Sequence, residues 1–124
     1  MANAEHLTWL NAGADPWNDW RRQYPDLVPD LRGANLRHAN LQGMNLSYAN
    51  FAGADCTGVN FAGADVSHAD FSNAHLEDAI LKWTDSRGTV FTNATFTHDP
   101  ALSLHLVTSL LARGAIARPP NPAP

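Results

Sequence analysis

From Leu31 onward a large apolar residue returns every five positions: Leu31, Leu36, Leu41, Leu46, Phe51, Cys56, Phe61, Val66, Phe71 and Leu76. Two positions before most of these stands a small residue, among them Ala34, Ala39, Ala49, Ala54, Ala64, Ala69 and Ala74, and between the two lies Asn or Asp, from Asn35 through Asp70. Two positions after the large residue come Gly33, Gly43, Gly53, Gly58, Gly63 and Gly88. This spacing suits neither a helix nor a flat strand. Apolar residues two apart point to one side of an extended segment, with the intervening Asn or Asp facing away. Glycine and polar residues then turn the chain. Four such sides close a square coil of twenty residues, and coils stack through backbone hydrogen bonds at about 4.8 Å.

Residues twenty apart should therefore lie above one another. One column reads Leu31, Phe51, Phe71, Phe91, a stack with three aromatic rings, and the next reads Leu36, Cys56, Leu76, Phe96. The third reads Leu41, Phe61, Leu81; the fourth, Leu46, Val66, Ser86, turns polar at its end. Around "KWTDSRGTV" (Lys82 to Val90) the pattern loosens, with Thr84 and Thr89 in place of Ala, yet the register survives to Phe91 and Phe96. Residues 29–98 thus hold fourteen five-residue units, about three and a half coils.

Helical segments are expected at both ends. Within residues 1–28, Asn3 is a candidate N-cap for "AEHLTWLNA" and Gly13 its stop. Asp15 and Pro16 then open "DPWNDWRRQ", which places Trp17 and Trp20 on one face. Residues 99–114 read as a second helical cap, opened by Asp99 and Pro100 and stopped by Gly114, and residues 115–124 as a disordered Pro-rich tail. Such ends make sense, because an uncapped coil exposes unpaired backbone groups and an open apolar core.

The units resemble those of the pentapeptide-repeat family, whose repeat reads A(D/N)LXX. The run "WNDWRRQYPDLVPDLRGANL" also resembles the helical N-terminal cap of some bacterial members. The departures are His75 and Ile80 in place of Asn or Asp, and Met44 and Val59 in place of Ala. The resemblance implies an all-β solenoid, a right-handed quadrilateral β-helix with α-helical caps. It also implies one use, a DNA mimic that binds DNA gyrase; rigid walls that present outward side chains to a partner suit another, a non-catalytic interaction or scaffold module.

Composition narrows these. The chain of 124 residues is sized for one domain and carries a net charge of −4, too little to attract nucleic acid or an anionic membrane. Residues 29–98 hold seven acids and four bases, a net of −3. A mimic of their length, roughly 17 Å at strand spacing, would need on the order of ten negative charges, so the mimic is the weaker alternative. A single cysteine excludes an internal disulfide framework. The start lacks a basic segment followed by an apolar run, and no apolar stretch is long enough to span a membrane, so a cytoplasmic protein is expected, and the resemblance of its N-terminal cap implies a bacterial one.

Chemistry finds little support. His38 and His98 share a column but stand three coils apart, and His68 lies on the opposite wall, so no metal is expected. The "GAD" fragments lack the nine-residue period and paired glycines of calcium-binding repeats, and the scattered threonines form no regular column. Cys56 takes an inward position, and no nucleophile elbow, P-loop or dinucleotide fingerprint is present. No enzyme and no cofactor are expected. Trp17, Trp20, Arg21 and Arg22 could stack on nucleic acid, but a cap whose indoles cover Leu31, with the arginines in solvent, fits better.

The expected activity is therefore protein binding to an unidentified partner. The least generic surface is Lys82, Trp83, Asp85 and Arg87, where an aromatic meets charges of both signs. Its rival is a loosened coil with Trp83 folded against the C-terminal helix. That helix has an apolar arc wider than one surface needs, which leaves Leu104, Val107 and Leu111 as a candidate homodimer face.

Overall fold

The computed structural model describes residues 1–99 and 102–120. Parallel bridges join Asp30 to Asn50, Asn35 to Asp55, Asn40 to Asn60 and Asn45 to Asp65, and the same interval of twenty continues to Asp70 and Val90. Each side of the coil is so short that most of it pairs through a single residue, and among the described residues only three strands are longer. These are β1 (His75–Leu76), β2 (Thr95–Thr97) and β3 (Ile116–Arg118), parallel in the order β1-β2-β3. The core columns stand as expected. Leu31, Leu46, Phe51, Cys56 and Phe61 are fully buried, and Phe71, Leu76, Phe91 and Phe96 nearly so. Burial pushes the Cys56 thiol up to about 12, with the Asp55 charge adding to the shift, so it is a protonated hydrophobe.

The corners explain the intervening Asn and Asp. The Ala34 N–H donates to Leu31 O and the Ala39 N–H to Leu36 O, closing a four-residue turn at each corner. The third residue of the turn is left-handed. Glycine fills it at Gly53 and Gly58, but His38, Tyr48, His68 and Trp83 also sit there with φ near +60°. At Gly58 a Cβ would collide with the His38 ring of the coil above. The preceding Asn or Asp locks the corner: Asn50 Oδ1 accepts from the Ala52 N–H at 3.0 Å and Asp70 Oδ1 from the Ser72 N–H at 2.8 Å. These side chains are structural acceptors rather than mere solvating groups.

At the N-terminal end, α1 (Ala4–Asn11) is capped by Asn3, as expected. α2 (Ala14–Gln23) starts earlier than Asp15 suggested. Gly13, at φ +108°, is its N-cap, because only glycine readily makes so tight a joint between the two helices. Trp17 and Trp20 are buried, and the Trp20 ring meets those of Trp9 and His6. α2 also satisfies the open edge of the first coil. Trp17 Nε1 donates to Asn45 O at 2.7 Å, and Asn18 accepts from the Asn45 N–H and donates to Gly43 O. Arg21 donates through Nη1 to Asn45 O at 2.7 Å and through Nη2 to Ser47 O at 2.9 Å. Arg21 is therefore not in solvent but 6% exposed; Arg22, paired with Asp19, is the outward one.

The C-terminal end departs further from expectation. α3 (Leu104–Ala112) begins at Ser103, whose Oγ accepts from the Leu106 N–H, not at Asp99; Pro100 lies outside the described residues. The segment that follows Gly114 is not a disordered tail at its start. It returns as β3, pairing Thr95 with Ile116 and Phe96 with Ala117, so α3 is inserted within a coil of twenty-one residues rather than appended to the last one. Residues 121–124 of the expected tail lie outside the described residues.

Candidate interaction surface

Trp83 does not fold against α3. It is 81% exposed at a left-handed corner, with the Lys82 ammonium 4.7 Å from its ring centroid. A bulky residue rarely adopts that backbone conformation, so the exposed indole is held where the corner puts it. Asp85 and Arg87 form a second pair: Arg87 donates from Nε at 3.0 Å and from Nη2 at 2.7 Å. The Arg87 hydrogen bonds hold the Asp85 carboxyl below the usual carboxylate range. All four expected residues thus stand on one wall of the last coil, as a cation–aromatic pair beside an ion pair.

Behind this wall lies a feature that the sequence did not reveal. Between the segment 79–86 and α3 runs a groove of about 640 Å³, lined among others by Ile80, Leu81, Trp83, Leu102, Leu106 and Arg113. A neighbouring space of about 200 Å³ opens between Leu76, Phe96 and Leu110. α3 therefore covers the last coil without sealing it. Leu110 and Val107 are buried beneath the helix, whereas Leu106 and Leu102 only partly fill the gap. On the two sides where residues 114–118 return, the edge is paired: the Asn93 N–H donates to Gly114 O and the Ile116 N–H to Ala94 O. On the Trp83 side, the N–H groups of Trp83 and Ser86 and the carbonyl of Thr84 have no backbone partner among the described residues. Arg113 bridges part of the floor, donating to Ser86 O at 2.5 Å and lying 5.8 Å from the Phe91 ring centroid. Nothing in the five-residue pattern could have marked Arg113, because it lies outside the repeats.

The expected dimer face is only partly assembled. Leu104 is 82% exposed and Leu111 47%, seven residues apart and hence on one stripe, but Val107 is 5% exposed and belongs to the core. The helix is rotated so that Val107 and Leu110 share the buried side. Among the described residues no cluster of His, Cys, Asp or Glu is placed to hold a metal ion. The Tyr48 and His68 rings stack at 4.9 Å on one wall. No helix among the described residues is long and apolar enough to cross a membrane.

A solenoid of five-residue units on a twenty-residue register, with Asn and Asp side chains locking its corners, defines a repeat protein. The family model for pentapeptide repeats matches residues 30–55 and 54–93 in eight copies, and the chain belongs to that family. No curated protein sequence matches it. Among solved structures it is similar to a pentapeptide repeat protein of the Arabidopsis thaliana thylakoid lumen, at 32% identity over 68% of this chain and a TM-score of 0.35. The match spans 63% of that protein's length. It is also similar to a pentapeptide repeat protein from Nostoc PCC 7120, at 22% identity over 94% of this chain and 96% of that one, with a TM-score of 0.38. HetL, a pentapeptide repeat protein from the same cyanobacterium involved in heterocyst differentiation regulation, matches at 23% identity over 52% of this chain and 45% of its own, with a TM-score of 0.20. Proteins of the family are generally non-catalytic interaction modules.

Proposed function

We propose that this chain is a non-catalytic protein-binding module, a right-handed quadrilateral β-helix whose contact surface is the wall that carries Lys82, Trp83, Asp85 and Arg87. The observation that carries this reading is the exposed Trp83, held at a left-handed corner beside a cation and above an open groove. Tryptophan and arginine dominate binding energy where they occur at interfaces. The test is photo-crosslinking in lysate of the native host, with a photoreactive residue at position 83 and, as control, at Tyr48 on another wall. A discrete adduct at 83 and not at 48 is expected; equal labelling at both, or none at 83, would refute the reading.

The gyrase-binding mimic draws no support from the walls. Of the four bases in the repeats, Arg32, Arg37 and Arg87 pair with Asp30, Asp55 and Asp85, which leaves a mosaic of ion pairs rather than a rail of negative charge. No inhibition of gyrase supercoiling is expected at micromolar protein. Self-association through Leu104 and Leu111 is a second use that we propose, favoured by the two exposed leucines on one stripe of α3.

A further inference from the structure

We propose that the open edge beside Trp83 accepts an extended segment of a partner protein, added in parallel as a further rung and carrying a carboxylate that faces Lys82. This deepens the interaction-module reading and rests on it. The coil above shows how such a rung would bind. There the Asp85 N–H donates to Ala64 O at 3.1 Å, Asp85 O accepts from the Val66 N–H at 2.9 Å, and Lys82 O accepts from the Gly63 N–H at 3.1 Å. One coil lower, Thr84 O, the Ser86 N–H and the Trp83 N–H are the equivalent groups, and they are vacant among the described residues. An incoming residue beneath Asp85 would donate to Thr84 O and accept from Ser86, and the residue three before it would accept from Trp83. Main-chain bonds of this kind supply affinity, and alternate side chains supply selectivity.

The occupant follows from the surroundings. Side chains on either side of the central residue would point into the groove, toward Leu81, Leu102 and Leu106, and should be apolar. The formally charged residues lining the groove are Lys82 and Arg113, both basic, in a chain whose net charge is −4. An acidic flank is therefore complementary and a basic one is not. The chain's own C-terminus is a poor candidate. Its returning strand is already paired with β2, and Pro119 and Pro120, which follow, lack the N–H a ladder needs. A second copy has little to offer, since its extended segments are built into its own coils.

The test uses the full chain and randomised short peptides displayed on phage. The expected winners alternate apolar residues around a centre and carry Asp or Glu at one end. A winning peptide is then resynthesised with each backbone nitrogen methylated in turn. Affinity should fall about tenfold or more where the methyl removes a donor to Thr84 O, the value of one main-chain hydrogen bond, and little at the neighbouring nitrogens. Ser86→Pro, which deletes a vacant donor, should weaken binding similarly, and Lys82→Glu should shift the selection toward basic peptides. No enrichment, helical winners, indifference to methylation, or a groove filled by a second copy (a dimer lost on Lys82→Glu) would each overturn the proposal. If position 83 still crosslinks a partner whose affinity ignores Ser86→Pro and Lys82→Glu, the interaction module stands and the added rung falls.

Discussion

The rings of Phe51 and Phe71 lie face to face, 4° from parallel with centroids 4.6 Å apart, one coil above the other. Phe91 continues the stack at 5.7 Å, and Phe61 meets both Phe51 and Phe71 edge-on. Phe71 is thus clamped above, below and from the side. Phe71→Ala should cost about 3–5 kcal/mol, the usual range for emptying a packed aromatic site. Tyr48→Ala, on the wall and 59% exposed, should be nearly neutral. Chemical denaturation of both variants decides; equal midpoints would contradict the clamp.

Arg21 gives a second test. Its guanidinium closes the first coil by reaching two carbonyls, and burial pushes its pKa down from the ordinary value. Arg21→Ala leaves Ser47 O without its donor and should cost about 1–3 kcal/mol. Arg21→Lys should recover little, because an ammonium cannot span both carbonyls as a planar fork does. Hydrogen exchange should localise the loss to the first coil, and uniform loosening would count against a capping role.

Asp30 predicts a pH signature. Its hydrogen bond from Arg32 is the main reason its carboxyl is lowered from the ordinary 3.8 to about 2. A group lowered in the folded state contributes stability that is complete above the ordinary value and lost as pH falls toward about 2. Carboxyl NMR titration should find this midpoint in the parent and a return toward 3.8 in Arg32→Leu. An unchanged midpoint in the variant would remove the pair as the cause.

For self-association, light scattering on the full chain should give twice the chain mass of 13.4 kDa. Leu104→Glu with Leu111→Glu should give a folded monomer, and Val107→Glu should instead unfold the C-terminal end, since Val107 is core. A parent that stays monomeric at high micromolar concentration sinks the dimer.

The solenoid was legible because its signal is redundant. Phe51, Phe71 and Phe91 repeat at the interval of the bridges, so no single residue had to be interpreted. Asn3 was readable for a similar reason, since a cap is a local event. Arg21 was misread because a cation in a tryptophan-rich helix normally faces water, and only the carbonyls of a distant coil make its burial tolerable. β3 escaped notice because three residues ahead of two prolines carry no strand signal; they are extended because β2 offers an edge. Val107 was misplaced because helical angles order the side chains around an axis but do not say which way the helix rolls onto its support. The groove depends on that roll as well, so sequence pointed to Trp83 and Lys82 but not to the vacancy behind them.

The twenty-residue bridges have a consequence for how such a chain can change length. Each five-residue unit is a quarter turn of a screw and advances it by roughly 1.2 Å, a quarter of the strand spacing. Loss of residues 51–70 would set Leu31 over Phe71 and Leu36 over Leu76, leaving the two ends facing as they do now on a shorter axle. Loss of a single unit such as 61–65 would swing the Trp17 end by a right angle relative to Trp83. The chain thus works as an indexed shaft on which whole turns set distance and quarter turns set bearing.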